Sequence, residues 1–395
     1  MGGASEAPLA GRRFYFVGIG GAGMSAYANF ARAWGAEVRG WDVQETRFLE
    51  TLDGVDVDVG GEPSPPDGFE VVVSSAHVGR ATGRTRAEFL AELVVLRRSI
   101  VVGGAHGKTT TAAMIAYVLR ELGHDPAWIV GGVVEQLGGN AGTGAGWLVV
   151  EGDESDRSIA YLRPEIAVVT NVELDHHAAF SSAAELGEFF EEWTAAVPHV
   201  VHGWELEPVS FELAVPGEHN RVNAAAALAA LDAAGVPRPE AEAALAGFRG
   251  VDRRLELVAD RGGVRVYDDY GHNPTEIAAT LRTARELTDG RVIAVYQPHV
   301  YERTRQLHRE LGAALGLADL AVVTDVIGGR DPQPGVTGKL VLDDVPLGVR
   351  RGWAPTLDDA ARLTLSWVRP GDVVVTFGVG DPWKAACAIG EGLAE

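Results

Sequence analysis

The sequence predicts an α/β protein built from parallel sheets covered by helices, on three observations. Short apolar runs alternate with helical patterns along the whole chain, and those runs end in glycine, acidic or polar residues. Alternation of this kind needs crossover helices, which cover the faces of a parallel sheet. A length of 395 residues leaves room for two or three domains, each with its own core.

Taken in order, RFYFVGI (13–19) reads as a buried strand and MSAYANFARAWG (24–35) as the helix that follows it. AEVRGWD (36–42) and FEVVVSSA (69–76) are the next strands. SIVVGG (99–104) is a further apolar run, leading through a glycine loop into the helix TTAAMIAYVLRELG (110–123). WLVVEGDESD (147–156) and EIAVVTNVELDH (165–176) are strands with acidic or polar ends. VRVYDDYGHN (264–273), RVIAVYQPH (291–299), LAVVTDV (320–326) and DVVVTFGVGD (372–381) supply four strands of a last unit. Boundaries ahead of SIVVGG and after AALAGF divide the chain into 1–97, 98–248 and 249–395. Ligands of such sheets sit beyond the carboxyl ends of the strands, which is where the polar residues cluster.

Charge narrows the function. The 55 acidic and 34 basic residues give a net charge of −21. Basic runs never exceed two residues, so no nucleic-acid partner is expected. The apolar runs are too short to span a bilayer, and no basic segment followed by an apolar one opens the chain. The expectation is a cytoplasmic protein without a membrane partner. The single cysteine, Cys387, excludes an intrachain disulfide and a cysteine-ligated metal cluster. Lysine occurs only at 108, 339 and 384. A lysine inside a glycine loop therefore stands out, since its compact charge fits between phosphate oxygens as a guanidinium does not.

Two glycine loops carry chemistry. GIGGAG, with Gly18, Gly20, Gly21 and Gly23, follows a strand and opens a helix, and Asp42 ends the next strand. Such a turn lets backbone amides and a helix start approach a diphosphate, but by itself it also fits a merely tight strand–helix turn. GGAHGKTTT (103–111) is more specific. Gly104, Gly107, Lys108 and Thr109 place a turn, a cation and a hydroxyl at a helix start, suited to β- and γ-phosphates and Mg²⁺. Val102 stands where the common phosphate loop has its first glycine. In PGEHNRVNA, His219 and Asn223 lie four apart on one helix face.

The ordered set GAHGKTTT, EGDESD, TNVELDHH, PGEHNRVNA, DDYGHNPTE and QPHVYERTR resembles the Mur ligases over nearly the whole chain. In that family the loop runs G-[TA]-H-G-K-T-T-T, so Val102 is no defect. The resemblance implies three domains. The first is Rossmann-like and holds a UDP-sugar, the second is a phosphate-loop ATPase, and the third is Rossmann-like and holds an amino acid. It implies ATP and Mg²⁺ as cofactors, UDP-N-acetylmuramate and L-alanine as substrates, and a monomer or weak homodimer. The lactyl carboxylate would be phosphorylated and the acyl phosphate attacked by the amine, with domain closure bringing the sites together.

By the same resemblance, Gly104, Ala105, His106, Gly107, Lys108, Thr109 and Thr110 form the nucleotide loop. Thr109, Glu154 and His176 hold the metal, while Glu151 and Asp153 have lesser parts. His219 and Asn223 lie near adenine, and Arg254 and Asp269 near the phosphates and ribose. Gly18, Gly20, Gly21, Gly23, Asp42, Ser74 and Ser75 face the sugar nucleotide. Tyr270, His272, His299 and Arg303 surround the amino acid, with Lys108, Glu154, His176, His272 and Arg303 as the catalytic set.

The chain departs from the family in three places. Asn273 replaces a second histidine, Val300 replaces an arginine after QPH, and only some twenty residues separate EEWTAAV from PGEHN. The rival readings are a tripeptide-recycling ligase of the same family, an NAD-dependent oxidoreductase suggested by GIGGAG alone, and a non-catalytic nucleotide-binding regulator. The last two leave HGKTTT and the acid–histidine set unexplained.

Overall fold

The computed structural model describes residues 7–393, apart from 47, 53, 175–178, 329–332 and 334. These residues form two compact units, Met1–Ala214 with Asn220–Arg249, and Val215–His219 with Gly250–Glu395. Three sheets are present among the described residues, two in the first unit and one in the second.

The first unit opens with β1 (Arg13–Val17), α1 (Ala22–Ala33), β2 (Glu37–Asp42), β3 (Asp56–Val59), β4 (Glu70–Val73), β5 (Arg84–Thr85) and α2 (Arg86–Val95). The strands pair in parallel in the order β3-β2-β1-β4-β5. The order reverses between β1 and β4, the crevice where dinucleotide folds bind their ligand, and the GIGGAG turn leaves β1 there. α2 starts on a capping box: Thr85 Oγ1 accepts the Glu88 amide, and Glu88 Oε2 accepts the Thr85 amide. Phe14, Phe16 and Phe89 pack edge-on or tilted beneath it.

The next sheet takes β6 (Ser99–Gly103), α3 (Lys108–Glu121), β7 (Ala127–Val134), β8 (Gly139–Gly142), β9 (Leu148–Glu151), β10 (Ile166–Val169), α4 (Ala183–Thr194) and β11 (His199–His202). Its order is β11-β10-β6-β9-β7-β8, parallel except for β8. β6 is wholly buried and central, which explains its unbroken apolar run. α3 is buried from Thr109 to Leu119. Threonine and alanine in its first turns, followed by Met114, Ile115, Val118 and Leu119, let the helix sit inside the core. Side chains of both sheets, from Phe14 and Trp34 to Val101, Val150 and Trp193, belong to one hydrophobic cluster. The unit ends with α5 (Glu218–Ala233) and α6 (Arg238–Leu245), and no strand lies between His202 and Glu218 among the described residues.

The second unit has β12 (Glu256–Arg261), β13 (Val264–Asp269), α7 (Pro274–Glu286), β14 (Val292–Tyr296), α8 (Tyr301–Leu315), β15 (Leu320–Val323), α9 (Gly338–Asp343), β16 (Arg350–Trp353), α10 (Leu357–Leu365), β17 (Val373–Phe377) and α11 (Pro382–Gly392). The order is β12-β13-β17-β14-β15-β16, with only β12 antiparallel. It is Rossmann-like in its parallel, helix-covered build, with β17 inserted between β13 and β14. Apolar clusters occupy both faces of the sheet. No helix among the described residues is long and apolar enough to cross a membrane.

Asn273, the departure from the family histidine, has a structural task. Its side chain accepts the Glu276 amide at 3.0 Å and caps α7, with Pro274 at the first helical position. Replacing Asn273 with Ala is expected to destabilise the second unit by about 1 kcal/mol, measured as a lower denaturant midpoint.

Candidate functional site

The loop between β6 and α3 is shaped by its neighbours. Gly104 and Gly107 have φ of +119° and +79°, and neither has room for a side chain. A Cβ on Gly104 would lie 2.2 Å from Thr170 Oγ1, and one on Gly107 would lie 2.2 Å from Asn223 Oδ1. Between them, Asn171 grips the His106 peptide at both ends. Its Oδ1 accepts the His106 amide at 3.1 Å, and its Nδ2 donates to the His106 carbonyl at 2.9 Å. Thr170 Oγ1 donates to that carbonyl at 2.6 Å. The curvature that a first glycine gives the common phosphate loop is supplied here by side chains of the strand end after β10. Gly107, in the left-handed region, starts α3 without a side-chain cap, so the first amides of the helix face outward.

Lys108 folds back over the loop. Its ammonium donates to the Gly104 and Ala105 carbonyls at 2.5 and 3.1 Å and to Glu154 Oε1 at 2.9 Å. Burial alone disfavours its charge, but Glu154 and Glu151 outweigh burial and hold it above the ordinary lysine range. Thr109 Oγ1 donates to Glu151 Oε1 at 2.9 Å, and Glu151 Oε2 accepts the Gly131 amide at 2.6 Å. Two carboxylates and a hydroxyl thus stand beside the lysine. This hard oxygen set fits Mg²⁺. Glu151, given only a lesser part by the sequence, is as close to the loop as Glu154. His176 lies outside the described residues. Thr110 is buried in the first turn of α3, and Ala105 is buried in the loop.

At the GIGGAG turn, Asp42 is buried and its Oδ2 accepts the Gly20 amide at 2.8 Å, so this carboxylate braces the turn. Gly21 is the residue before α1, which has no side-chain cap, and Gly23 lies in its first turn. Ser74 is buried with its hydroxyl 2.8 Å from His77 Nδ1, while Ser75 is exposed.

In the second unit Asp269, Tyr270 and His272 lie at the carboxyl end of β13 ahead of α7, His299 follows β14, Arg303 is in the first turn of α8, and Arg254 precedes β12. Asp269 is buried. It accepts the Gly271 amide at 2.7 Å and the Leu255 amide at 2.8 Å. Burial lifts its carboxyl to about 6, against the lowering effect of Arg254 and these amides. Leu255, like Arg253, has a left-handed φ, +50° and +59° respectively, and Asp269 holds that bend. Arg254 lies 3.6 Å from Glu276 and 5.3 Å from the Tyr270 ring centre. Tyr270 and His272 meet edge to face, and the His272 amide donates to Glu276 Oε2 at 3.1 Å. Glu276, which sequence reasoning left unassigned, joins Arg254 to His272; only its place in NPTE hinted at it. His219 is lowered to about 4 by burial and by Arg254. His299 is held below the usual imidazole range by burial and by the charges of Arg303 and His272. Val300 starts α8 at φ +68°, an outlier for a β-branched residue. Its amide donates to the Ile327 carbonyl at 2.8 Å, and its carbonyl accepts the Thr304 amide.

A largely covered lysine folded over a glycine loop, with a hydroxyl at the helix start and acids from the end of the neighbouring strand beside it, defines a phosphate-handling α/β enzyme. Three Mur ligase domain models match in order: "Mur ligase family, catalytic domain" over 13–98, "Mur ligase middle domain" over 102–201, and "Mur ligase, glutamate ligase domain" over 253–380. The chain belongs to the Mur ligase family of ATP-dependent amide ligases. It is 38% identical to the UDP-N-acetylmuramate–L-alanine ligase of Rubrobacter xylanophilus, covering 94% of this chain and 98% of the relative. The aligned stretch, 438 residues, exceeds the 395 of this chain, so the relative carries residues without a counterpart here. The crystal structure of UDP-N-acetylmuramate-alanine ligase from Thermotoga maritima superposes with a TM-score of 0.79 at 27% identity, over 96% of this chain and 98% of that one. A murein peptide ligase from Psychrobacter arcticus shares the fold, with a TM-score of 0.66 at 24% identity over 98% and 100% of the two chains.

Two outcomes follow from this geometry. Asn171→Ala removes two hydrogen bonds that shape the loop, each worth about 1 kcal/mol, so the Kd for Mg²⁺–ADP is expected to rise roughly tenfold or more in calorimetry. Asp269 and His219 oppose each other between about pH 4 and 6. The raised carboxyl pKa makes the folded state the better proton binder there, so its contribution to stability falls as pH rises. The depressed imidazole pKa makes the unfolded state the better proton binder, so its contribution rises with pH. Relative to the unaltered protein, Asp269→Asn is therefore expected to gain stability as pH goes from 4 to 6, followed by denaturant unfolding.

Proposed function

We propose that this chain joins L-alanine to the lactyl carboxylate of UDP-N-acetylmuramate with hydrolysis of ATP to ADP and phosphate, in the cytoplasm, as a monomer or weak homodimer. The domains of the reading are 1–97 for the sugar nucleotide, 98–248 for ATP and 249–395 for the amino acid. The observation that carries it is Lys108 held between two loop carbonyls and Glu154, with Thr109 against Glu151. No dehydrogenase needs that set, and its completeness argues against a non-catalytic regulator.

Residues Gly104–Thr110 cradle the phosphates through amides of the loop and the α3 start, with Lys108 exchanging its loop carbonyls for phosphate oxygens. Thr109, Glu154 and His176 hold Mg²⁺, with Glu151 orienting the Thr109 hydroxyl. When bound by these residues, Mg²⁺ would supply positive charge against the crowded phosphate and carboxylate oxygens. Asn223 and His219 face adenine, the latter neutral at physiological pH, and Arg254 and Asp269 serve the phosphates and the ribose. The γ-phosphoryl group passes to the lactyl carboxylate, releasing ADP. The alanine nitrogen adds to the acyl carbon, and phosphate leaves as the C–N bond is kept. Tyr270, His272, His299 and Arg303 surround the amino acid: Arg303 takes its carboxylate, and the neutral His299 accepts the proton that the amine sheds. Gly18, Gly20, Gly21, Gly23, Ser74 and Ser75 line the UDP-sugar site, with Asp42 bracing it.

Val300 favours one second reading, the same ligation with a peptide in place of alanine, since a cation of the family's acceptor site is missing. Phosphate release from Mg²⁺–ATP with UDP-N-acetylmuramate decides between them. Alanine-dependent release, lost at least about a thousandfold in Lys108→Ala, supports the first reading. Release with a peptide and not with alanine moves the assignment to the second, and no release with either overturns the ligase assignment.

A further inference from the structure

The DESD motif contains two aspartates, Asp153 and Asp156, to which the proposed reaction gives no step. Both point to one cation. Arg86, the first residue of α2, donates to Asp153 Oδ2 at 2.8 Å and lies 3.1 Å from Asp156 Oδ2. It comes from the sheet of the GIGGAG turn, whereas the aspartates flank Glu154 beyond β9. On its other side the guanidinium borders that turn: a Cβ on Gly23 would lie 3.9 Å from Arg86 Nη1. Tyr27, one turn further along α1, is buried in the same cluster. Its hydroxyl is pushed up to about 12 by burial, with Arg86 opposing the shift and Asp153, Glu151 and Asp156 adding to it. Asp153 is fixed further by the Ser155 amide at 2.9 Å and the Ser155 hydroxyl.

We propose that Arg86 is a positioning residue that couples the sugar-nucleotide turn to the carboxylates of the phosphate loop. The proposal rests on the UDP-sugar and ATP assignments made above. With the turn empty, the guanidinium neutralises Asp153 and Asp156 and fixes the segment that presents Glu154 to Lys108. A diphosphate arriving at the start of α1 brings negative charge within reach of the same guanidinium and draws it from the aspartates. The acidic segment then becomes more negative and binds the Mg²⁺–nucleotide more tightly. Sugar nucleotide and Mg²⁺–ADP are thereby linked through one side chain, and the linkage is reciprocal.

The test is calorimetric titration of Mg²⁺–ADP into the full chain, with and without saturating UDP-N-acetylmuramate. In the unaltered protein the sugar nucleotide is expected to tighten Mg²⁺–ADP by about fivefold. Arg86→Gln is expected to bring that ratio to within about twofold of one. Asp153→Asn with Asp156→Asn, which removes both partners of the guanidinium with little change of shape, is expected to do likewise. A merely structural arginine would change thermal midpoints and both affinities but leave the ratio. A ratio unchanged in both variants overturns the proposal, as does a ratio of one in an unaltered protein that binds both ligands. An unaltered protein that binds Mg²⁺–ADP but not UDP-N-acetylmuramate overturns the substrate assignment itself, and the coupling with it.

Discussion

The contact on which the rest depends is the Lys108 ammonium between the Gly104 and Ala105 carbonyls and Glu154. A buried cation is costly unless it is paired and fully hydrogen-bonded. Three acceptors meet that need, and each comes from an element placed by the central sheet: β6 delivers the loop, α3 the lysine, and the segment after β9 the glutamate. Since β6 and β9 are hydrogen-bonded neighbours, the glutamate cannot drift far from the lysine without breaking a parallel ladder. The pairing also leaves the lysine charged and close to its place of use, so a phosphate replaces existing acceptors and no new order has to be created.

Around this centre, the sequence makes the phosphate loop from side chains as well as glycines. Asn171 and Thr170 hold the His106 peptide, and Asn223 packs against Gly107. These three residues come from far along the chain, and all converge on a segment of four residues. The loop is therefore as firm as the sheet and helices behind it, which suits a site that must meet phosphate oxygens without reorganising.

The buried parallel strands were legible in the sequence because both of their faces are covered. Each reads as an unbroken apolar run, as in β6, β14 and β17. Of the strands that sequence reasoning passed over, β3 (DVDV), β5 (RT), β8 (GNAG), β11 (HVVH), β12 (ELVADR) and β16 (RRGW) are edge strands, and β7 (AWIVGGVV), next to an edge, is apolar but interrupted by two glycines. Their pairing is decided by a neighbour rather than by their own pattern. The site divides similarly. Lys108 and Thr109 were legible because a glycine loop and a helix start are local features. Glu151, Asn171, Glu276 and Arg86 act through approaches across 42, 65, 22 and 67 residues of chain, and no local pattern encodes these. Asp42 could be read as the end of the strand after the turn, but that its carboxylate accepts the Gly20 amide is a detail that only tertiary structure reveals.

Among the described residues, three of the five non-glycine residues with left-handed backbone, Arg253, Leu255 and Val300, lie in the second unit beside its candidate ligand residues. Each such conformation costs on the order of 1–3 kcal/mol, against a net stability of roughly 5–15 kcal/mol for a whole domain. For an engineer the three differ: glycine at Leu255 or Val300 would relieve backbone strain at some risk to turnover, whereas at Arg253 it would also strip the partner from the buried Asp268. Strain at such bends is a standing cost, so their persistence in a lineage would itself record selection for the chemistry they support.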